Sequence, residues 1–176
     1  MKYFYFFKKI QEKKIKINFK KISPKKIVVF DGVSLKDLEY LLENYDYQVI
    51  EGREKKLKEI NLSVELILSA IKNFFLIILK GNFSLPILYY YTIIKLLKPK
   101  IIITSIDNSF QFFYLAKLLK DNFVFLAVQN ANRHDYEEMH YNFKNKISRK
   151  DYNLEIFIPN FFCFGSEEEK VAKYYN

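Results

Sequence analysis

Residues 99–133, PKIIITSIDNSFQFFYLAKLLKDNFVFLAVQNANR, constrain the fold more than any other stretch of this chain. Residues 101–103 are an uninterrupted β-branched run, the pattern of a strand covered on both faces. Asp107, Asn108 and Ser109 follow at once, and a helix begins there, with Asn108 placed to act as its N-cap and Gln111 to complete a capping box. A second strand over residues 123–128 runs into another polar cluster, Gln129, Asn130, Asn132, Arg133, His134 and Asp135. Open parallel sheets take their ligands outside the carboxyl ends of their strands. The two polar clusters at two such ends are therefore the candidate binding positions.

The same alternation extends over most of the chain. Residues 26–30 read as a first strand closing on Asp31-Gly32, and Ser34 with Asp37 as a capping pair for a helix with Leu35, Leu38, Leu41, Leu42 and Tyr45 on its apolar side. Residues 47–50 form a second strand, and the charged residues 53–59 a surface loop. Two strongly apolar helices follow, over about 62–80 and 86–97, with Pro86 suited to a first helical turn and Pro99 marking the end. Residues 129–160 form a long connection of little periodicity, the kind that is usually functional or disordered. Residues 161–164 are a fifth short strand, and Ser166 with Glu169 opens a final helix reaching Asn176. Strands alternating with helices predict an α/β fold: a Rossmann-like, doubly wound parallel sheet of about five strands with flanking helices.

Charge separates the chain into two parts. Residues 1–26 hold ten lysines and a single acid, Glu12, which accounts for the whole net charge of +9 and leaves the remainder neutral. The expected organisation is a basic, lysine-rich leader over 1–25 and a Rossmann-like domain over 26–176. A nucleic-acid binder spreads its basic charge over the folded body, so nucleic acid is a disfavoured partner. The leader mixes Tyr3, Phe4, Tyr5, Phe6 and Phe7 with lysines, which suits peripheral contact with anionic lipid headgroups as well as a plain solvated terminus. No secretory signal and no spanning helix can be read: Glu65 and Lys72 interrupt the longest apolar stretch, residues 62–79. The expected location is cytoplasmic. Cys163 is the single cysteine, which excludes an intramolecular disulfide and a thiolate metal cluster, and its apolar surroundings predict a buried thiol.

Each polar cluster has a plain structural reading beside a functional one. Asp107, Asn108 and Ser109 suit contact with a sugar hydroxyl, and equally a simple helix cap. Gln129, Asn130, Asn132 and Arg133 exceed what capping needs and suit a hydroxyl-rich or anionic group, which arginine grips in a forked geometry. His134 is a weak candidate general base, since imidazole titrates near neutrality. His140 lies in the same loop, but no ligand spacing there matches a metal site, and none is expected. Asp31-Gly32-Val33-Ser34 lacks the glycines of a phosphate-cradling loop, and no nucleophile elbow occurs.

Residues 99–133, with their IDN and VQN turns and Arg133, together with PNFFCFGSEEEKVAKYYN at 159–176, resemble bacterial surface-carbohydrate (O-antigen) biosynthesis proteins similar to GT-B glycosyltransferases. The likeness extends less specifically from about Lys26 to the last residue. The resemblance implies that the chain corresponds to the amino-terminal, acceptor-binding half of such a protein, as a truncated gene, a fragment or one part of a split protein. Asp107, Asn108, Gln129, Asn130 and Arg133 would then line the cleft as substrate-binding residues. The resemblance further implies a glycan or lipid-linked acceptor as partner and no cofactor bound by this chain. A nucleotide-sugar donor would be held by a second domain or chain, so catalysis by the chain alone is not expected. A lipid-linked acceptor would add peripheral contact with the inner face of the cell membrane to the expected cytoplasmic location. The alternative is a non-catalytic interaction module or a truncated remnant, which a mostly exposed apolar face on helix 62–80 or 166–176 would favour.

Overall fold

The computed structural model describes residues 15–52, 59–79, 84–106, 109–129, 157–158, 160–166, 169–170 and 173. Seven strands and four α-helices are described: β1 (Lys16–Asn18), β2 (Ile27–Phe30), α1 (Leu35–Leu42), β3 (Tyr47–Ile50), β4 (Glu59–Asn61), α2 (Val64–Leu79), α3 (Leu85–Leu97), β5 (Ile101–Thr104), α4 (Phe110–Leu119), β6 (Val124–Val128) and β7 (Asn160–Phe162). Five of the strands form one sheet in the order β3-β2-β5-β6-β7, and every neighbouring pair is parallel. This is the Rossmann-like, doubly wound architecture that the alternation of elements predicts.

The β-branched strands explain why the sheet is packed on both sides. Along β2 the side chains alternate, so Val28 and Phe30 enter one core and Ile27 and Val29 the other. The larger core sets Val28, Phe30, Ile102 and Phe125 against α3 and α4. The smaller one closes Val29 and Ile103 under Leu38 and Leu42 of α1. Phe112 of α4 is fully buried and meets Phe30 and Phe125 at ring-centroid distances of 5.8 and 5.3 Å. Helix α2 packs on α3 and forms an outer layer. Its buried Asn73 Nδ2 donates to Thr92 Oγ1 of α3 at 3.3 Å, which fixes the rotation of α2 about its own axis.

Local chemistry sets the element ends. Ser84 Oγ accepts from Ile87 N–H at the start of α3, and Pro86 occupies the first turn as expected. The helix stops at Lys98, which takes a left-handed conformation with φ 49°, and Pro99 follows. Helix α4 corrects one expectation: its N-cap is Ser109, whose Oγ accepts from Phe112 N–H at 3.4 Å, not Asn108. Helix α1 corrects another, because a 3-10 turn over Gly32–Ser34, capped by Asp31, precedes it.

Two strands lie where none was expected. Lys16–Asn18, inside the basic leader, pairs in parallel with Glu59–Asn61, at the end of the stretch read as a charged loop. Asparagines hold the pair together. Asn18 Nδ2 donates to Glu59 Oε1, while Asn61 Nδ2 donates to Asn18 Oδ1 and to the Lys20 carbonyl, all at 2.7 Å. At the other end of the chain, Ser166, Glu169, Lys170 and Lys173 are helical, and the rest of the expected final helix lies outside the described residues.

Gly52, just after β3, has no room for a side chain. A Cβ there would lie 2.6 Å from Cε1 of Phe30, whose ring is fully buried against Tyr90 and Phe112. Gly52→Ala is expected to cost about 1–3 kcal/mol in denaturant unfolding, the usual penalty of overpacking. Combined with Phe30→Leu it should be less than additive, because the shorter side chain vacates the contested volume.

Candidate functional site at the switch point of the sheet

From β2 the chain turns through α1 to β3 on one side, and by way of α2 and α3 it reaches β5 on the other. The strand order reverses between β2 and β5. In doubly wound sheets the crevice outside the carboxyl ends of two such strands is where ligands bind. The register pairs Ile27 with Ile101 and Val29 with Ile103. Two residues further on, it sets Asp31 level with Ser105.

These strand ends are polar although they are buried. Among the described residues seven polar or charged side chains are buried, and four of them stand at carboxyl ends: Asp31 after β2, Thr104 and Ser105 at the end of β5, and Gln129 after β6. Asp31 is only 2% exposed and has φ 79°, a backbone state that costs a non-glycine residue about 1–3 kcal/mol. Its Oδ1 accepts from Val33 N–H at 3.3 Å, and its own N–H donates to the Ile50 carbonyl at 2.7 Å. Ser105 Oγ donates to Asp37 Oδ2 at 3.2 Å, tying the first turn of α1 to the end of β5. Thr104 Oγ1 accepts from Ile106 N–H. Glu51 continues the row beyond β3, where its Oε2 lies 3.2 Å from the position a Cβ on Gly32 would take.

The residues that follow β2 and β3 and the first turn of α1 thus each bring a carboxylate to this end of the sheet. They accept from hydroxyls and repel phosphate, and no glycine-rich loop offers backbone N–H groups in compensation. The row suits hydroxyl-rich ligands. Among the described residues no group of three or more His, Cys, Asp or Glu is arranged to hold a metal ion.

Of the six site residues named from sequence, Asp107, Asn108, Gln129, Asn130, Arg133 and His134, only Gln129 is described. It is 3% exposed, its Oε1 accepts from Phe164 N–H at 2.8 Å, and its backbone N–H donates to the Phe162 carbonyl. Gln129 therefore braces the end of β7. Asp107, Asn108, Asn130, Arg133 and His134 lie outside the described residues. Asp31, Asp37 and Ser105 were not singled out as site residues, because their importance comes from strand order and no local motif carries it. Cys163 is half-buried, not fully buried, and its thiol donates to the Gly165 carbonyl at 3.4 Å.

A groove of about 1510 Å³ runs from Gly32, Val33 and Glu51 along β3 to β1, β4 and α3. Tyr89 of α3 braces its wall by accepting from Asn61 N–H at 3.0 Å.

No protein family, curated protein or solved structure matches this chain. The strand order and packing define its class on their own: a Rossmann-like α/β domain with a carboxylate-lined switch point.

Burial raises the Tyr89 phenol above its ordinary value, and Glu59 adds to the effect against the opposing Asn61 hydrogen bond. A raised acid pKa favours the neutral folded form. Its stabilisation is complete below about pH 10, where the unfolded phenol titrates, and is lost as pH rises through the folded value. Tyr89→Phe should lose about 0.5–1.5 kcal/mol at neutral pH, with the Asn61 bond. Above pH 10 its melting temperature should fall less steeply than that of the parent. Some alkaline slope should persist, because burial raises Tyr114 as well.

Proposed function

We propose that this chain is the acceptor-side domain of a glycosyltransferase-like protein of surface-polysaccharide or O-antigen biosynthesis, acting on the cytoplasmic side of the membrane. One observation carries the reading: the switch point is lined by Asp31, Asp37, Ser105 and Glu51 and lacks a phosphate-binding glycine loop. Hydroxyls of a glycan or lipid-linked acceptor donate to the accessible carboxylates of Asp37 and Glu51, while buried Asp31 and Ser105 shape the turn beneath them. The nucleotide-sugar donor, whose diphosphate this row would repel, belongs to a second domain or chain. The sequence resemblance at residues 99–133 and 159–176 supports the same division of labour, with Asp107, Asn108, Gln129, Asn130 and Arg133 on the acceptor side.

Ligand-detected NMR of the chain tests this, against glycan fragments on one side and UDP-, GDP-, dTDP- and CMP-sugars on the other. A glycan fragment should bind while the nucleotide sugars remain silent. Asp37→Asn and Glu51→Gln should each weaken binding by about tenfold or more, the worth of a hydrogen bond to a charged group. Arg133→Ala should weaken it too. Preferential binding of a nucleotide sugar would reverse the assignment of the site. Silence in both panels from a folded chain would leave the interaction-module reading, which the exposed apolar residues of α2 favour on their own account.

A further inference from the structure

Strand β3 is the outermost of the main sheet, with β2 on one edge and no described strand on the other. The Asp31 N–H bonds the Ile50 carbonyl, so Ile50 directs its backbone groups at β2 and its neighbour Val49 directs N–H and C=O outward. The Val49 carbonyl accepts from the Gln48 side chain at 3.0 Å, and the Glu51 carbonyl from the Tyr90 hydroxyl. Side chains thus cover the edge where a further strand would pair. Gln48, Val49, Ile50 and Glu51 all line the groove of about 1510 Å³. Consecutive strand residues point to opposite faces, so a groove that touches four in a row runs along the edge itself.

The other walls suit an extended chain. Across the groove stand Lys16 and Asn18 of β1 and Glu59 and Asn61 of β4, alternate residues paired in register and therefore one face of that ribbon. Ile93 and Leu97 of α3, with the rings of Tyr89 and Tyr90, give an apolar floor. Charge is uneven. Lys16, Lys20, Lys21 and Lys36 line the groove, all four exposed, and none is paired with a carboxylate among the described residues. Two carboxylates face them, of which Glu59 accepts from Asn18. The excess of lysine charge calls for an anionic occupant.

We propose that the groove binds an extended acidic peptide of a partner protein, which adds as a strand to the open edge of β3. Its main chain lies about 4.8 Å from β3 and pairs with the outward groups of Val49, once the exposed Gln48 side chain turns aside. One set of alternate side chains rests on the apolar α3 floor. The other, carrying glutamate or aspartate, meets the lysines at the rim. A polyanion without a peptide backbone is the weaker occupant, since it leaves the strand edge without a role.

The test is fluorescence anisotropy of the full chain with peptides of about eight residues, in which glutamate alternates with valine, leucine or phenylalanine. At least one should bind, more weakly as salt rises, and its lysine-for-glutamate counterpart should not. N-methylation of alternate peptide residues keeps the charge and removes main-chain donors, and in one of its two phases it should abolish binding. The Val49 amide should become protected from hydrogen exchange in the complex. Lys16→Ala, Lys20→Ala, Lys21→Ala and Lys36→Ala together should weaken binding by about fifteenfold, at roughly twofold per exposed ion pair, with the melting temperature near the parent value. Silence from every peptide would overturn the proposal, and so would undiminished binding of both N-methylated forms. Binding of oligogalacturonate in place of the peptides would also overturn it, and would assign the groove to an acidic glycan. The peptides carry no sugar, so their failure leaves the acceptor-binding test standing, and the reverse holds as well.

Discussion

The contact on which the rest of the structure depends is the seating of Phe112 between Phe30 and Phe125. All three rings are almost fully buried, and they join α4 to β2 and β6 across the larger core. Phe30 is the last residue of β2, so the position of its ring also determines where Asp31 begins. The ring occupies the space that any side chain on residue 52 would need, which links the end of β3 to the same packing. The geometry of the switch point is thus inherited from the aromatic core immediately beneath it. Backbone strain at Asp31 persists because its neighbours are held on both sides: Phe30 by the core, Val33 and Ile50 by hydrogen bonds to Asp31.

The central strands β2 and β5 were legible in the sequence because they are buried, and burial selects runs such as Ile101–Thr104 that few other structures tolerate. The short pair was not. Residues 15–20 do alternate apolar and polar, Ile-Lys-Ile-Asn-Phe-Lys, but that short signal is submerged in the lysine-rich composition around it, and the strand is held by asparagine side chains. Its partner lies more than forty residues away, beyond the reach of any local pattern. The N-cap of α4 was misplaced by one residue because Asn108 and Ser109 are equally good caps in composition, and only the backbone path chooses between them.

The candidate site was legible only as a place. The turns after β5 and β6 were recognised as carboxyl ends, but which end matters depends on strand order, and strand order is a long-range property. Asp31-Gly32 read as the end of a strand and nothing more until β5 was seen beside it. Asp37 read as part of a helix cap, whereas its carboxylate accepts from a serine far along the chain. Gln129 illustrates the converse. Its polarity after a buried strand suggested a ligand, and the structure uses it to hold Phe164.

The layering of the domain accounts for the most unusual choice of residues in the chain. α3 rests on the sheet, and α2 rests on α3, so one face of α2 is outward by construction. An outer helix of this kind needs apolar residues on its inner side only, and the usual complement is a charged outer side. Here the outer side is as apolar as the inner, and a single lysine and a single glutamate are set at its flank. Stability of the isolated domain gives no reason for that choice, because exposed leucine and phenylalanine contribute nothing to its core.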